Sequence, residues 1–457
     1  MNQTNFIRRV FVDRICYNIV TPMKTLIQQI KEESEKNRAN LIQLIQDTVR
    51  IPSYPGETEK IQLFLQEKMA GLGMETRIVK IEPEKLKKYK GFSYDGFSYD
   101  RRYCLTGIKK GKGNSGKSLI LNGHVDVVPP GDLTSWHGDP LSGKLEQGKI
   151  YGRGSLDMKA GLCAAITAIK VLHDIGFKNN GDIIVSSVCG EETGGCGAFA
   201  VVEDGLTADG CIILEPTKLN ICHIQSGCHT FKIKIKGSSI HACMAYKGVN
   251  AIDKFLVIYE ALKSMDRRRH ERFSNIYYEY SYNVAPMSVG IISAGEWPSS
   301  VPDLLIAHGR MGIFPGETAE EMHREFEETL RTAASNDPWL TNNMPEIEWY
   351  EGLFEPTSTD FNSSLIKTLA ESHQKILNRE AKFEAATYGS DMRIFNIYAG
   401  IPTVLYGPGD VSLAHTANEN IEIDQVMETV NSIALMITTW CKGELWDASK
   451  ESSYCLY

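Results

Sequence analysis

The sequence predicts an α/β fold: a mostly parallel sheet sandwiched by helices, with a smaller α+β unit of βαββα type inserted into it. Three observations carry this expectation. Wholly apolar runs of strand length alternate with segments of helical period, the pattern of a sheet covered on both faces. One central stretch switches to strict polar/apolar alternation, the mark of a strand with one wet face. The length of 457 residues also exceeds what one core ordinarily holds.

Apolar residues at helical spacing over 23–49 predict a first helix, stopped by Ile51-Pro52-Ser53, and a second helix covers 57–72. Residues 1–22 carry Arg8, Arg9, Asp13 and Arg14 and no uninterrupted apolar stretch. They are expected to form a poorly ordered extension, neither a signal peptide nor a membrane span. Two tandem pentapeptides, Gly91-Phe92-Ser93-Tyr94-Asp95 and Gly96-Phe97-Ser98-Tyr99-Asp100, form a short duplication whose Gly, Ser and Asp favour an expanded surface loop without chemistry. Residues 118–128 form an apolar run of strand length, and 157–175 are helical with Leu162, Ile166, Ile169 and Leu172 on one face. Residues 182–189 and 210–214 predict further buried strands. Late in the chain, 401–406 predict a strand and 423–440 a helix.

The middle differs. Over 229–236, Phe231, Ile233 and Ile235 alternate with Lys232, Lys234 and Lys236. A helix over 249–265 follows, its stripe of Ile252, Phe255, Leu256 and Tyr259 expected in a core or a dimer interface. Strands near 287–293 and 304–313 and a helix over 319–333 complete the unit. Residues 228–353 are therefore assigned to the insertion, and 23–227 with 354–457 to the main unit.

A hydrophobic fraction of 42% and a charged fraction of 23% are those of an ordinary soluble protein. The net charge of -8 argues against nucleic acid as a partner, and no window has transmembrane length. Eleven cysteines without CxxC pairs read as reduced thiols in a cytoplasm. Cys163, Cys189 and Cys211 lie in apolar runs, as core residues would.

The chemistry lies at strand ends. His124 and Asp126 stand two apart in Leu121-Asn122-Gly123-His124-Val125-Asp126, a spacing that puts both on one face of a strand. There the imidazole can bind a metal while the carboxylate positions the ring or a reacting water. Asp157 follows Gly152-Arg153-Gly154-Ser155-Leu156 at a helix start, where a carboxylate is ordinarily a cap. Glu191 and Glu192 end the strand 182–189, and Glu215 ends the strand 210–214, at the edge where α/β sheets place their sites. His415 lies just past the Gly407-Pro408-Gly409 turn. Each residue alone reads as a cap or a solvated charge. Together, two histidines and several acids suit zinc or a similar divalent ion, and four carboxylates suggest two ions.

This ordered set resembles the dinuclear zinc amidohydrolases and peptidases that include acetylornithine deacetylase, succinyl-diaminopimelate desuccinylase, aminoacylase and glutamate carboxypeptidases. The resemblance covers nearly the whole chain. It implies that His124 and Glu215 bind one ion, His415 and Glu192 the other, and that Asp157 bridges them. It makes Asp126 the residue that orients His124, and Glu191 the general base. His241, in Gly237-Ser238-Ser239-Ile240-His241-Ala242, matches a lid histidine that in dimeric members enters the partner subunit's site and holds the oxyanion. Arg310 matches an arginine that receives a substrate carboxylate. Ser300 precedes Val301-Pro302 where the family often has asparagine, which points to a different acyl or amine group. Gly389-Ser390-Asp391-Met392-Arg393 resembles a Gly-Thr-Asp segment near the substrate pocket.

The implied function is metal-dependent hydrolysis of an amide in a small N-acyl amino acid or related metabolite, with acetylornithine-type deacetylation the nearest specific case. A di- or carboxypeptidase and an N-formyl-amide deformylase are alternatives with the same centre, and a scaffold or binding protein is a distant one. The expected cofactors are two divalent ions, zinc or, as a substitute, cobalt. The expected state is a cytoplasmic homodimer joined through the lid, acting on an acylated amino acid or peptide without nucleic acid or membrane.

Overall fold

The computed structural model describes residues 3–113, 115–278 and 283–445, with residues 3–24, 351, 444 and 445 as backbone only. Helix α1 spans Gln3–Arg50, so its backbone begins ahead of the apolar period that starts at Met23. Residues 1 and 2 of the expected extension, and all side chains of 3–22, lie outside the described residues. Among the described residues, no helix is long and apolar enough to cross a membrane.

The main sheet has nine strands. Four of them run parallel at its centre: β7 (Ile183–Val188), β3 (Leu119–His124), β8 (Cys211–Ile213) and β16 (Thr403–Leu405). Every residue of β3 and β7 is buried, as strands covered on both faces must be. Strands β1 (Glu75–Lys80) and β2 (Tyr103–Lys109) add an antiparallel edge beside β7. At the other side β9 (Ile221–Gln225) runs antiparallel to β16 and carries β14 (Thr357–Ser358) and β15 (Phe383–Ala386). Small sheets add β4 (Lys144–Glu146) and β5 (Lys149–Tyr151) with β17 (Asn420–Glu422), and β6 (Phe177–Lys178) with β18 (Glu444–Leu445).

Helices α2 (Glu59–Gly71), α3 (Pro83–Leu86), α4 (Ala160–Asp174), α5 (Cys196–Glu203), α8 (Ser364–Leu377) and α9 (Ile423–Trp440) cover this sheet together with α1. Helix α4 lies close to β3: a Cβ on Gly123 would come within 3.3 Å of Leu162. One apolar cluster runs through the sheet and these helices, with Ile120, Leu121, Val185, Ile212 and Val430 fully buried.

The middle of the chain forms a second sheet in the order β11-β12-β10-β13. Its elements are β10 (Gly227–Lys236), α6 (Ala251–Arg272), β11 (Ser288–Ala294), β12 (Leu304–Ile313), α7 (Ala319–Ser335) and β13 (Glu346–Phe354). All three pairings are antiparallel. The expected βαββα order thus gains a closing strand. Glu346, Glu348 and Glu351 hide β13 from an apolar-pattern reading, yet Glu346 and Glu348 pair with Lys234, Lys236 and Lys232 across the wet face. The dry face supplies a separate core in which Phe231, Ile233 and Ile235 meet Phe255, Ile258, Met322 and Phe326. Helix α7 starts with a capping box, Thr318 and Glu321 each satisfying the other's backbone N–H.

In the main sheet the four central strands end at one edge. His124 is the last residue of β3, Gly190 follows shortly after β7, Glu215 follows β8, and Gly407 follows β16. The site is built there.

Candidate metal centre

His124 is 1% exposed, and its two ring nitrogens face different partners. Nδ1 lies 2.9 Å from the backbone carbonyl of Asp126. A carbonyl only accepts, so Nδ1 carries a proton, and Nε2 is the nitrogen left to bind a metal once its own proton is lost. Nε2 faces Asp157 Oδ1 at 3.0 Å and Glu215 Oε1 at 3.9 Å. The Asp126 carboxylate, expected to orient His124, lies near the same nitrogen, with Oδ1 3.8 Å from Nδ1, and the Asp126 carbonyl lies closer. Strand β3 stops at His124, so the alternation that would align residues 124 and 126 does not extend that far. The Asp126 carboxylate also accepts from the backbone N–H groups of Glu191 and Glu192, at 3.4 and 3.2 Å.

Asp157 is not a helix cap. Its φ of -116° and ψ of 96° are non-helical, and α4 begins three residues later. Freed from capping, its carboxylate lies between the two histidines, with Oδ1 on His124 and Oδ2 3.4 Å from His415 Nε2. The same His415 nitrogen is 3.0 Å from Glu192 Oε2. His415 has φ +59°, in the left-handed region that a non-glycine residue seldom enters, and histidine is among the side chains that tolerate it. Its side chain is 52% exposed, so the site opens at this end.

Two donor triads result: His124, Asp157 and Glu215, and Asp157, Glu192 and His415. Within each, one nitrogen or oxygen per residue lies within 4.8 Å of the others. Asp157 belongs to both.

The charge balance asks for cations. Among the described residues, no Lys or Arg ion-pairs with Asp157, Glu191, Glu192 or Glu215. Burial pushes the Glu191 carboxyl well above the usual range, and Glu215, Asp391 and Glu192 push the same way. Burial, with Asp157 nearby, raises Glu215 to about 8. Hydrogen bonds to Asp157 and Glu192 raise His415 to about 10. Burial works against charge on His124 and Asp157 alike, but their mutual contact overrides it, holding the imidazole well above its ordinary value and the carboxyl well below. Mixed imidazole and carboxylate donors, desolvated and short of positive charge, fit two divalent ions of the zinc type.

One residue of the assembly escapes sequence reasoning. Glu419 is 1% exposed, and its Oε1 accepts from the backbone N–H groups of Leu156 and Asp157 at 2.9 and 3.1 Å. Its Oε2 pairs with buried Arg153 at 2.6 Å. Glu419 thus fixes the backbone that presents Asp157. Its closeness in sequence to His415 was the available signal, but nothing in the sequence shows that it reaches across to residues 153–157.

The other expected site residues stand apart within one chain. His241 is exposed, and its Nδ1 accepts the Cys243 N–H at 3.2 Å. Among the described residues, no hydrogen bond or ion pair joins it to the two triads. Arg310 is exposed on β12, beside the buried Cys228 thiol, where no carboxylate lies within ion-pair distance among the described residues. Arg393 is buried, bonded to Glu355 at 3.1 Å and to the Gly194 carbonyl at 2.9 Å.

The chain matches known proteins over most of its length. The model of peptidase family M20/M25/M40 matches residues 120–439. N-formyl-4-amino-5-aminomethyl-2-methylpyrimidine deformylase of Halalkalibacterium halodurans is 28% identical over 439 residues, covering 91% of this chain and 98% of that protein. A tripeptidase from Staphylococcus aureus superposes with a TM-score of 0.70 at 21% identity, covering 89% of this chain and 99% of its own. A dinuclear metal binding peptidase of Bacillus subtilis superposes with a TM-score of 0.61 at 15% identity, covering 89% and 99%. With its strand-end histidines and acids in this order, the chain belongs to peptidase family M20/M25/M40, hydrolases that act on amide bonds.

Proposed function

We propose that this chain is a metal-dependent deacylase that adds water across the amide of a small N-acylated metabolite, releasing a carboxylate and a free amine. The sharing of Asp157 by two donor triads is the observation that carries this reading. His124 and Glu215 would hold one ion and Glu192 and His415 the other, with Asp157 available to both. Zinc is the first ion to test and cobalt the second. Bound there, such ions supply Lewis acidity, which polarises an amide carbonyl and eases deprotonation of water. Glu191 accepts that proton at its carboxylate and passes it to the departing nitrogen. Asp126 keeps the Glu191 and Glu192 amides in place, and Glu419 does the same for Asp157.

Residues 228–353 act as the lid and dimerisation unit, and 23–227 with 354–457 as the catalytic unit. Exposed Ile291 and Ile292 on edge strand β11, with Leu256 and Val257 on α6, support a homodimer through this unit. In such a dimer His241 reaches the partner subunit's site, and Arg310 receives a carboxylate of the substrate. The nine described cysteines are all free, which supports a reducing, cytoplasmic setting.

The acyl group to test first is formyl, because the relative named for a deformylase matches almost end to end. Acetylornithine-type substrates come second, and dipeptides form the alternative reading. A panel of N-formyl, N-acetyl, N-succinyl and dipeptide substrates, assayed with zinc and with cobalt, tests the proposal. Amine release from an N-acyl series is expected. Full metal occupancy without hydrolysis across the panel would point to a binding protein instead.

A further inference from the structure

The two pentapeptides at 91–95 and 96–100 have one sequence and two environments. Asp100 is exposed and accepts from Ser98 Oγ within its own loop, at 3.1 Å. Asp95 turns inward. Its side chain is 3% exposed, and Oδ2 lies 2.6 Å from Arg102 Nη1, on a side chain 1% exposed. Thr193 Oγ1 donates to the same Asp95 oxygen at 2.6 Å. Arg102 Nη2 also donates to Cys196 Sγ at 2.8 Å, and its guanidinium lies over the Tyr99 ring.

Thr193 directly follows Glu192. The turn that carries Glu191 and Glu192 has glycines at 190, 194 and 195, all with positive φ, so its backbone has little stiffness of its own. The Asp126 carboxylate holds it by two amides, and Asp95 holds it by the Thr193 hydroxyl. The first pentapeptide is itself fixed elsewhere: Gly91 N–H donates to Tyr398 Oη at 2.8 Å, and Ser93 Oγ accepts from Gly352 N–H at 2.8 Å. A buried ion pair with a third hydrogen-bonded partner resists displacement, because separating it strands a desolvated charge.

We propose that Asp95 is a positioning residue for the ion site formed by Asp157, Glu192 and His415, acting through Thr193 and Arg102. It sets the affinity of that triad and leaves the triad of His124, Asp157 and Glu215 unaffected. The proposal rests on reading the two triads as ion sites.

Titration of metal-free protein with Co(II), followed by calorimetry and visible absorption, tests it without a substrate. Thr193→Val removes the hydroxyl and keeps the Asp95–Arg102 pair. It should weaken one of two cobalt sites by about 10–100-fold, the usual effect of removing a partner behind a ligand. Thr193→Ser should restore wild-type binding, Asp95→Asn should weaken the same site, and Asp100→Asn should change nothing. Unaltered binding in both Thr193→Val and Asp95→Asn, or equal loss at both sites, would overturn the proposal alone. Fewer than two sites in the wild-type protein would overturn the reading of the triads, and this proposal with it.

Discussion

At the scale of single residues, the centre depends on one carboxylate serving two neighbours. Asp157 faces His124 with one oxygen and His415 with the other, so its loss should differ in kind from loss of either histidine. Asp157→Ala should abolish binding of both ions, whereas His415→Ala should leave one ion in place, as metal analysis after dialysis would reveal. Retention of two ions by Asp157→Ala would rule out the bridging role. His124, Glu191, Glu192 and Glu215 were legible because each stands at the end of an apolar run, where a charged or imidazole side chain has no packing reason to be, and His415 because it follows the turn after such a run. Asp126 was legible as a residue beside His124, but its hold on the Glu191 and Glu192 amides was not. Which of its groups meets His124 depends on where β3 stops, and hydropathy does not mark that point within two residues.

At the scale of elements, the segment from Gly152 to Lys159 shows how a loop is made rigid enough to present a ligand. Glu419 accepts from two of its amides and pairs with Arg153, and the ion pair is buried. Glu419→Ala would leave the Arg153 charge unpaired in the interior, at a cost of about 3–5 kcal/mol. It should therefore lower the melting temperature and weaken both ions together, since Asp157 is common to the two triads. A normal melting temperature and normal metal affinity in this variant would contradict that account. The helical period of 157–175 was readable, but its first turn was not. The apolar pattern continues through Leu156 and Met158 although the backbone there is not regular helix. The pentapeptide duplication was legible as a loop. That Asp95 of its first copy would turn inward against the Glu191 turn was not, because identical sequences carry no sign of their different surroundings.

At the scale of the whole molecule, two cores divide the work. The large sheet delivers the ligands from its strand ends, and the smaller antiparallel sheet carries Arg310 and an exposed apolar edge, with His241 in the loop after β10. Both cores were legible from apolar period alone. The charged strand β13 and the edge strand β1 were not, since charged residues break up their apolar ones. If the second sheet joins two copies, sedimentation should give a dimer, and His241→Ala should lower turnover while leaving metal content unchanged. A monomer with undiminished His241→Ala turnover would remove the partner subunit from the mechanism. The central claim, that two ions prepare the reaction and Glu191 moves its proton, is tested most directly by one comparison. Metal content and amide turnover are measured together for the wild-type and Glu191→Gln proteins. Two ions per chain in both, with turnover reduced by about 10²–10⁴-fold in the variant, is the expected result. Equal turnover, or loss of the ions on making Glu191→Gln, would contradict it.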